Sequence, residues 1–242
     1  MKILSIGNGF SRDAHYYLPR LAMENGVPME LYNLFIGGCD LRRHWDNAIQ
    51  NRQDYLLEKD GVSTDRYVSL VEALEMEPWD VVTLQQAGHD SGRPQTYVPY
   101  LDRLGDLVRS CRPEAKLYFH QTWAYEETSD HPGFAHYQNS GEEMFRRISD
   151  ASEMASKLLD APLIPVGKVI RALRDSVPAF DTAKGGISLY RGGFHLSMEY
   201  GRFAAAATWF FTLTGTLPKA QSLEQLDPVL VDAILSRISS LR

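Results

Sequence analysis

The chain has 242 residues, 44% hydrophobic, 11% aromatic and 23% charged, with a formal net charge of −6. That is enough apolar material for one large core, and the acidic balance, with no basic stripe to offset it, argues against a nucleic-acid partner. The two cysteines, Cys39 and Cys111, lack CxxC spacing, which excludes a zinc ribbon or a disulfide framework and reads as reduced thiols in a cytoplasmic protein.

Residues 2–6 (KILSI) form the first predicted strand, with no apolar leader before them, so no secretory signal is expected. A helix is predicted over 14–24, stopped by Asn25-Gly26, and a second strand over 29–35 (MELYNLF). In the segment 53–68, Asp60-Gly61 stands between two patterned runs and predicts a small hairpin inserted on the rim. A helix over 69–76, a strand over 80–84 (DVVTL), a helix over 97–111 and a strand over 116–120 (KLYFH) follow. Over 141–159, Met144, Ile148, Ala151, Met154, Ala155 and Leu158 recur at three-to-four spacing, the mark of one buried helix face. A weaker strand at 162–166, a helix at 198–214 and a terminal amphipathic helix at 227–241 complete the chain. No stretch approaches the ~18 apolar residues of a membrane span, so no membrane partner is expected. Strand alternating with helix predicts an α/β fold, a parallel sheet covered on both faces, in a single domain 1–242.

In such a sheet, ligands bind beyond the carboxyl ends of the strands. Four loops there are rich in Gly, amide and His. They are Gly7-Asn8-Gly9-Phe10-Ser11-Arg12-Asp13 and Gly37-Gly38-Cys39-Asp40. They continue as Gln85-Gln86-Ala87-Gly88-His89-Asp90 and the late Arg191-Gly192-Gly193-Phe194-His195. The loop after the fourth strand adds Gln121, Trp123, Tyr125 and Glu126. His44, Asp46 and His89 have no metal-ligand spacing, and neither a metal nor another cofactor is expected.

Taken in order, these blocks resemble the SGNH (GDSL-type) hydrolases. Those enzymes carry a nucleophilic serine after the first strand, oxyanion donors after the second and third, and an Asp-x-x-His motif near the end. Ile-Gly-Asn-Gly-Phe, Ile-Gly-Gly-Cys, Gln-Gln-Ala-Gly-His, His-Gln-Thr-Trp-Ala-Tyr and Gly-Gly-Phe-His-Leu are most similar to a bacterial branch classed as a domain of unknown function, over residues 2 to about 215. The resemblance implies a three-layer α/β/α sandwich with a five-stranded parallel sheet in the flavodoxin-like order 2-1-3-4-5. It also implies ester hydrolysis, with acyl groups on carbohydrates as substrates.

The departures decide what can remain of that chemistry. Gly9 stands at the nucleophile position, Gly192 at the triad aspartate, and Gly88 where the branch has serine. Glycine offers neither hydroxyl nor carboxylate, so the acyl-enzyme route is expected to be closed. His195 would remain as the imidazole, and backbone N–H groups at Gly9 and Gly38 with the Gln86 side chain would remain as donors to a carbonyl or oxyanion. Asn8, Asp13, His89 and Trp123 are the further candidate contacts, Trp123 by stacking on a sugar ring. His15, His131 and His136 read as surface or loop residues. Three functions follow: an esterase scaffold with its serine mechanism disabled, a pseudoenzyme holding a glycan or acylated small molecule, or a hydrolase or glycosidase using His195 with a carboxylate such as Asp13, Asp90 or Glu126.

Overall fold

The computed structural model describes residues 1–241. The sheet grows outward from β1 (Lys2–Gly7), which sends Ile3 into one core and Leu4 and Ile6 into the other, as a strand buried on both faces must. β1 pairs in parallel with β2 (Glu30–Phe35). The hairpin of β3 (Tyr55–Lys59) and β4 (Val62–Val68) then extends that edge in antiparallel fashion. On the other side lie β5 (Val81–Leu84), β6 (Lys116–His120) and the short β7 (Leu163–Ile164), all parallel.

The order is β4-β3-β2-β1-β5-β6-β7. Its parallel part follows the expected 2-1-3-4-5 arrangement, but the expected five strands are seven, because the hairpin joins the main sheet. Asp60 and Gly61 both take positive φ, 51° and 79°, the twist a two-residue hairpin turn requires. β4 is the outer edge, and its exposed Ser63, Thr64, Asp65 and Arg66 discourage pairing with another chain.

Helices cover both faces. α1 (Gly9–His15) and α2 (Leu18–Glu24) lie on one side, and α3 (Leu41–Ile49), α4 (Leu70–Met76) and α5 (Tyr100–Cys111) on the other. α6 (Gly141–Leu159) feeds both cores, with Met144 and Ile148 in one and Ala151 and Ala155 in the other. α7 (Val166–Ser176), α8 (Tyr200–Thr214) and α9 (Pro228–Ser240) join the α1 side. α8 is buried from Tyr200 to Phe210, as expected of a helix apolar all round. α4 starts at a reciprocal cap: Ser69 Oγ accepts from Glu72 N, and Glu72 accepts from Ser69 N. Among the described residues no helix is long and apolar enough to cross a membrane.

Three expectations change here. The helix predicted over 14–24 starts earlier, at Gly9, and is two helices. Pro19 sits in the first turn of α2, where its missing N–H is tolerated, although it would break a continuous helix. α3 and α7 were not expected as elements. α7 begins at Val166, assigned to a strand by its β-branched neighbours, yet Val166, Val169, Ile170 and Leu173 line one buried face. A last hairpin, β8 (Tyr190–Arg191) and β9 (His195–Leu196), stands outside the main sheet and carries His195.

Candidate functional site

Four loops meet beyond the carboxyl ends of the parallel strands. Asn8 caps α1, its Oδ1 accepting from Phe10 N at 2.9 Å. Its Nδ2 donates to Cys39 O at 3.2 Å, tying the first loop to the second. Gln85 Nε2 donates to Asn8 Oδ1 at 2.7 Å, tying the third loop to the first. The β8–β9 hairpin closes over this group. His195 Cε1 lies 2.8 Å from where a Cβ on Gly9 would stand, with Nδ1 at 3.6 Å and Nε2 at 3.8 Å. The imidazole therefore faces Gly9 and occupies the space a side chain there would need.

What holds the imidazole is Asp13, on the same helix as Gly9. Its carboxylate is fully buried. Oδ1 accepts from Arg191 Nη2 at 2.7 Å and from Arg202 Nε at 2.8 Å. Oδ2 accepts from Leu196 N at 3.0 Å and lies 3.4 Å from His195 Nδ1. Burial alone would raise the carboxyl pKa; the contact with His195 and the charges of Arg202 and Arg191 overcome this and hold it below its ordinary value. The ionised carboxylate is the ion-pair neighbour of Nδ1, which makes no hydrogen bond among the described residues, and its charge favours the ring's placement beside Gly9. Arg202, itself buried, lies over the Tyr16 ring at 4.4 Å.

Gly9 opens α1, so its N–H has no acceptor within the helix. Gly38 is exposed at φ 62° in the loop after β2. Gly192 is exposed at φ 59°, with only Phe194 Cε1, at 3.9 Å, near a would-be Cβ.

Several expected contacts lie elsewhere. Gln86 does not face a cleft. Its Oε1 accepts from Leu41 N and Ala87 N, and its Nε2 donates to Thr96 O and Oγ1, so its amide is saturated. Strand alternation does not apply to it, because β5 ends at Leu84. Asn8 is likewise buried and engaged, its Oδ1 accepting twice and its Nδ2 donating to Cys39 O. Asp13 is inaccessible and orients His195, where a ligand contact was expected. Trp123 is fully buried, 4.3 Å from Phe10 between centroids, with its indole N–H on Phe194 O at 2.8 Å; it is core, not a stacking surface. His89 is half-exposed but two rings away: it stacks on His131, which touches Phe194, which touches His195. His15, expected near the surface, is fully buried.

Neither Ser11 nor Cys39 is available as an alternative nucleophile. Ser11 Oγ is buried against Asn8 N, Asn8 O and Asn33 Oδ1. Burial pushes the Cys39 thiol up to about 12, with Arg43 only partly opposing, so it is not a thiolate at neutral pH. Among the described residues no three His, Cys, Asp or Glu side chains gather as a metal site would require. The roles of Arg191 and Arg202 as partners of Asp13 were missed; Arg191, beside the late glycine pair, was the available signal.

The DUF4886 family, a domain of unknown function, matches residues 2–229. A DUF4886 protein from Bacteroides uniformis is 35% identical over 98% of this chain and 93% of its own, with a TM-score of 0.89. A proposed SGNH hydrolase from Slackia heliotrinireducens is 23% identical over 88% of this chain and 98% of its own, TM-score 0.62. The acetylxylan esterase Axe2 of Geobacillus stearothermophilus, as a catalytic mutant, is 11% identical over 91% and 97%, TM-score 0.56. The last two show a shared fold. No curated protein matches the chain.

Proposed function

Because the chain belongs to the DUF4886 family and shares the fold of SGNH and GDSL-type hydrolases, we propose that it is an esterase-type scaffold that binds an acylated small molecule or glycan without forming an acyl-enzyme. The carrying observation is the His195 ring seated over Gly9. The residue matched to the nucleophile has no hydroxyl, and the imidazole fills its place. Without a nucleophile the covalent route is closed. The ligand's carbonyl or oxyanion would take N–H donors from Gly9 and Gly38, with His195 as its polar neighbour.

A second reading has one specific support, the ionised Asp13 at His195 Nδ1. An imidazole so held can act as a general base on water. His195 Nε2 would take a proton from water as the hydroxyl adds to the ester carbon. The imidazolium would then protonate the departing alkoxide, giving acid and alcohol with no covalent intermediate.

Hydrolysis of p-nitrophenyl acetate and of acetylated sugars separates these readings; the esterase Axe2 is the reason to include the sugars. The binding reading expects no turnover above that of His195→Ala, together with a melting shift when an acetylated sugar is added. Turnover abolished by His195→Ala selects the water mechanism. Gly9→Ser with Gly192→Asp is expected to gain esterase activity, since Asp is among the residues that tolerate positive φ. If that double variant folds yet stays inert, and no acyl compound shifts the melting temperature, the rim is not the site.

A further inference from the structure

Under the rim, a set of buried polar groups forms a hydrogen-bonded chain whose direction can be assigned bond by bond. Asn8 Nδ2 donates to Cys39 O, so Asn8 Oδ1 is the atom that accepts from Phe10 N and Gln85 Nε2. Gln85 therefore presents Oε1 to His120 Nδ1, 3.0 Å away. An amide oxygen only accepts, so His120 carries its proton on Nδ1, and its Nε2 is a bare acceptor.

From the other end, Thr83 Oγ1 donates to Ser5 Oγ at 3.0 Å. The Ser5 hydroxyl proton is then free for His15 Nε2, also at 3.0 Å. His15 Nε2 accepts, so His15 carries its proton on Nδ1, pointing to no protein partner.

The atoms left over are complementary. His15 Nδ1, His120 Nε2 and Trp209 Nε1 are all buried without a protein hydrogen bond. Both imidazoles pack edge-on against Trp209, with centroids 5.3 Å and 5.1 Å from its ring. Two of the three atoms are donors, the His15 Nδ1–H and the indole N–H, and one is an acceptor. A buried polar atom without a partner is costly, and all three belong to the group of rings in contact around Trp209. A cation does not fit, because two of the atoms present protons. An apolar molecule would satisfy none of them. Burial holds both imidazoles neutral, with pKa values of about 3, as a neutral ligand requires.

We propose that this point is a built-in site for one ordered water, which accepts from His15 and Trp209 and donates to His120. About three hydrogen bonds is the usual complement of a buried water. The water makes one circuit of the two ends of α1: Asn8 at its start through Gln85 and His120, and His15 in its last turn through Ser5. The helix carrying Gly9 and Asp13 is thereby held at both ends from below. This site stands independently of any ligand on the rim.

The test reads the ring nitrogens of the unaltered protein. In 15N-labelled protein at neutral pH, long-range 1H–15N correlation should show both His15 and His120 as Nδ1–H tautomers. Ser5→Ala removes the donor to His15 Nε2 and should release His15 from that tautomer while His120 keeps it. An atomic-resolution crystal structure should place one water within hydrogen-bond distance of His15 Nδ1, His120 Nε2 and Trp209 Nε1. An Nε2–H tautomer at either histidine overturns the proposal, as does a direct imidazole–imidazole hydrogen bond or no water peak among the three atoms. If Ser5→Ala does not fold, the tautomers of the unaltered chain still decide.

Discussion

Gly9 and Gly88 are glycines on two of the loops that meet at the rim, and their surroundings differ. Above Gly9 is the end of a movable side chain: a Cβ would meet His195 Cε1 at 2.8 Å, and the ring is half-exposed. At Gly88 a Cβ would land on the Phe10 ring, with Tyr125 Oη at 2.9 Å. Phe10 cannot retreat, because it packs on the fully buried Trp123. The first site could take a side chain by a small ring shift; the second is filled with core. A missing side chain is therefore not by itself a vacant site.

The broadest way to sharpen this contrast is acid. Burial holds His15, His44 and His120 neutral, with pKa values of about 3 against an ordinary 6.5. Between those values the unfolded chain binds protons that the folded chain refuses. Stability is therefore full above pH 6.5 and declines as pH falls toward 3. The Gly9 corner should loosen with it, since His120 holds Gln85 and Gln85 holds Asn8. Denaturant titrations across this range check the decline; equal stability at pH 7 and pH 4 would contradict the neutral buried imidazoles.

Asp13→Ala comes next. It strips the carboxylate from buried Arg202 and from His195, and should cost about 3 kcal/mol, part being spared because Arg191 can turn to solvent. A loss below about 1 kcal/mol would mean the cluster does not anchor the hairpin. Gly88→Ser should cost about 1–3 kcal/mol by overpacking. Phe10→Leu in the same chain should recover part of that, a coupling expected of touching residues. Strict additivity would break the refilled-corner account. Gly9→Ser should cost least, under about 1 kcal/mol, with the His195 resonances displaced. If Gly9→Ser destabilises as much as Gly88→Ser, the two corners do not differ.

Much of the fold was legible in local chemistry. The Asp60-Gly61 turn, the strand-helix alternation and the buried stripe of α6 follow from spacing, except that Leu158, expected on that stripe, is exposed in the helix's last turn. α7 was hidden because Val166, Val169 and Ile170 suit a strand as well as a helix face. The break between α1 and α2 was carried by Pro19 alone. At the site, the approach of His195 to Gly9 was implied only by the family resemblance of the two loops. The role of Asp13 was not, because its partners Arg191, Leu196, His195 and Arg202 arrive from β8, β9 and α8, and no local pattern joins those elements to α1. The expected placement of Gln86 failed because it lies past the end of β5, where no ladder fixes the direction of a side chain. Its amide then took whatever neighbouring loops offered.

Intact-protein mass spectrometry after exposure to a fluorophosphonate serine probe reads out whether residue 9 carries a nucleophile. The unaltered chain should keep its mass, and Gly9→Ser with Gly192→Asp should gain one adduct mapping to residue 9. A stoichiometric adduct on the unaltered chain would contradict the account, because it would reveal a working nucleophile where His195 faces only glycine.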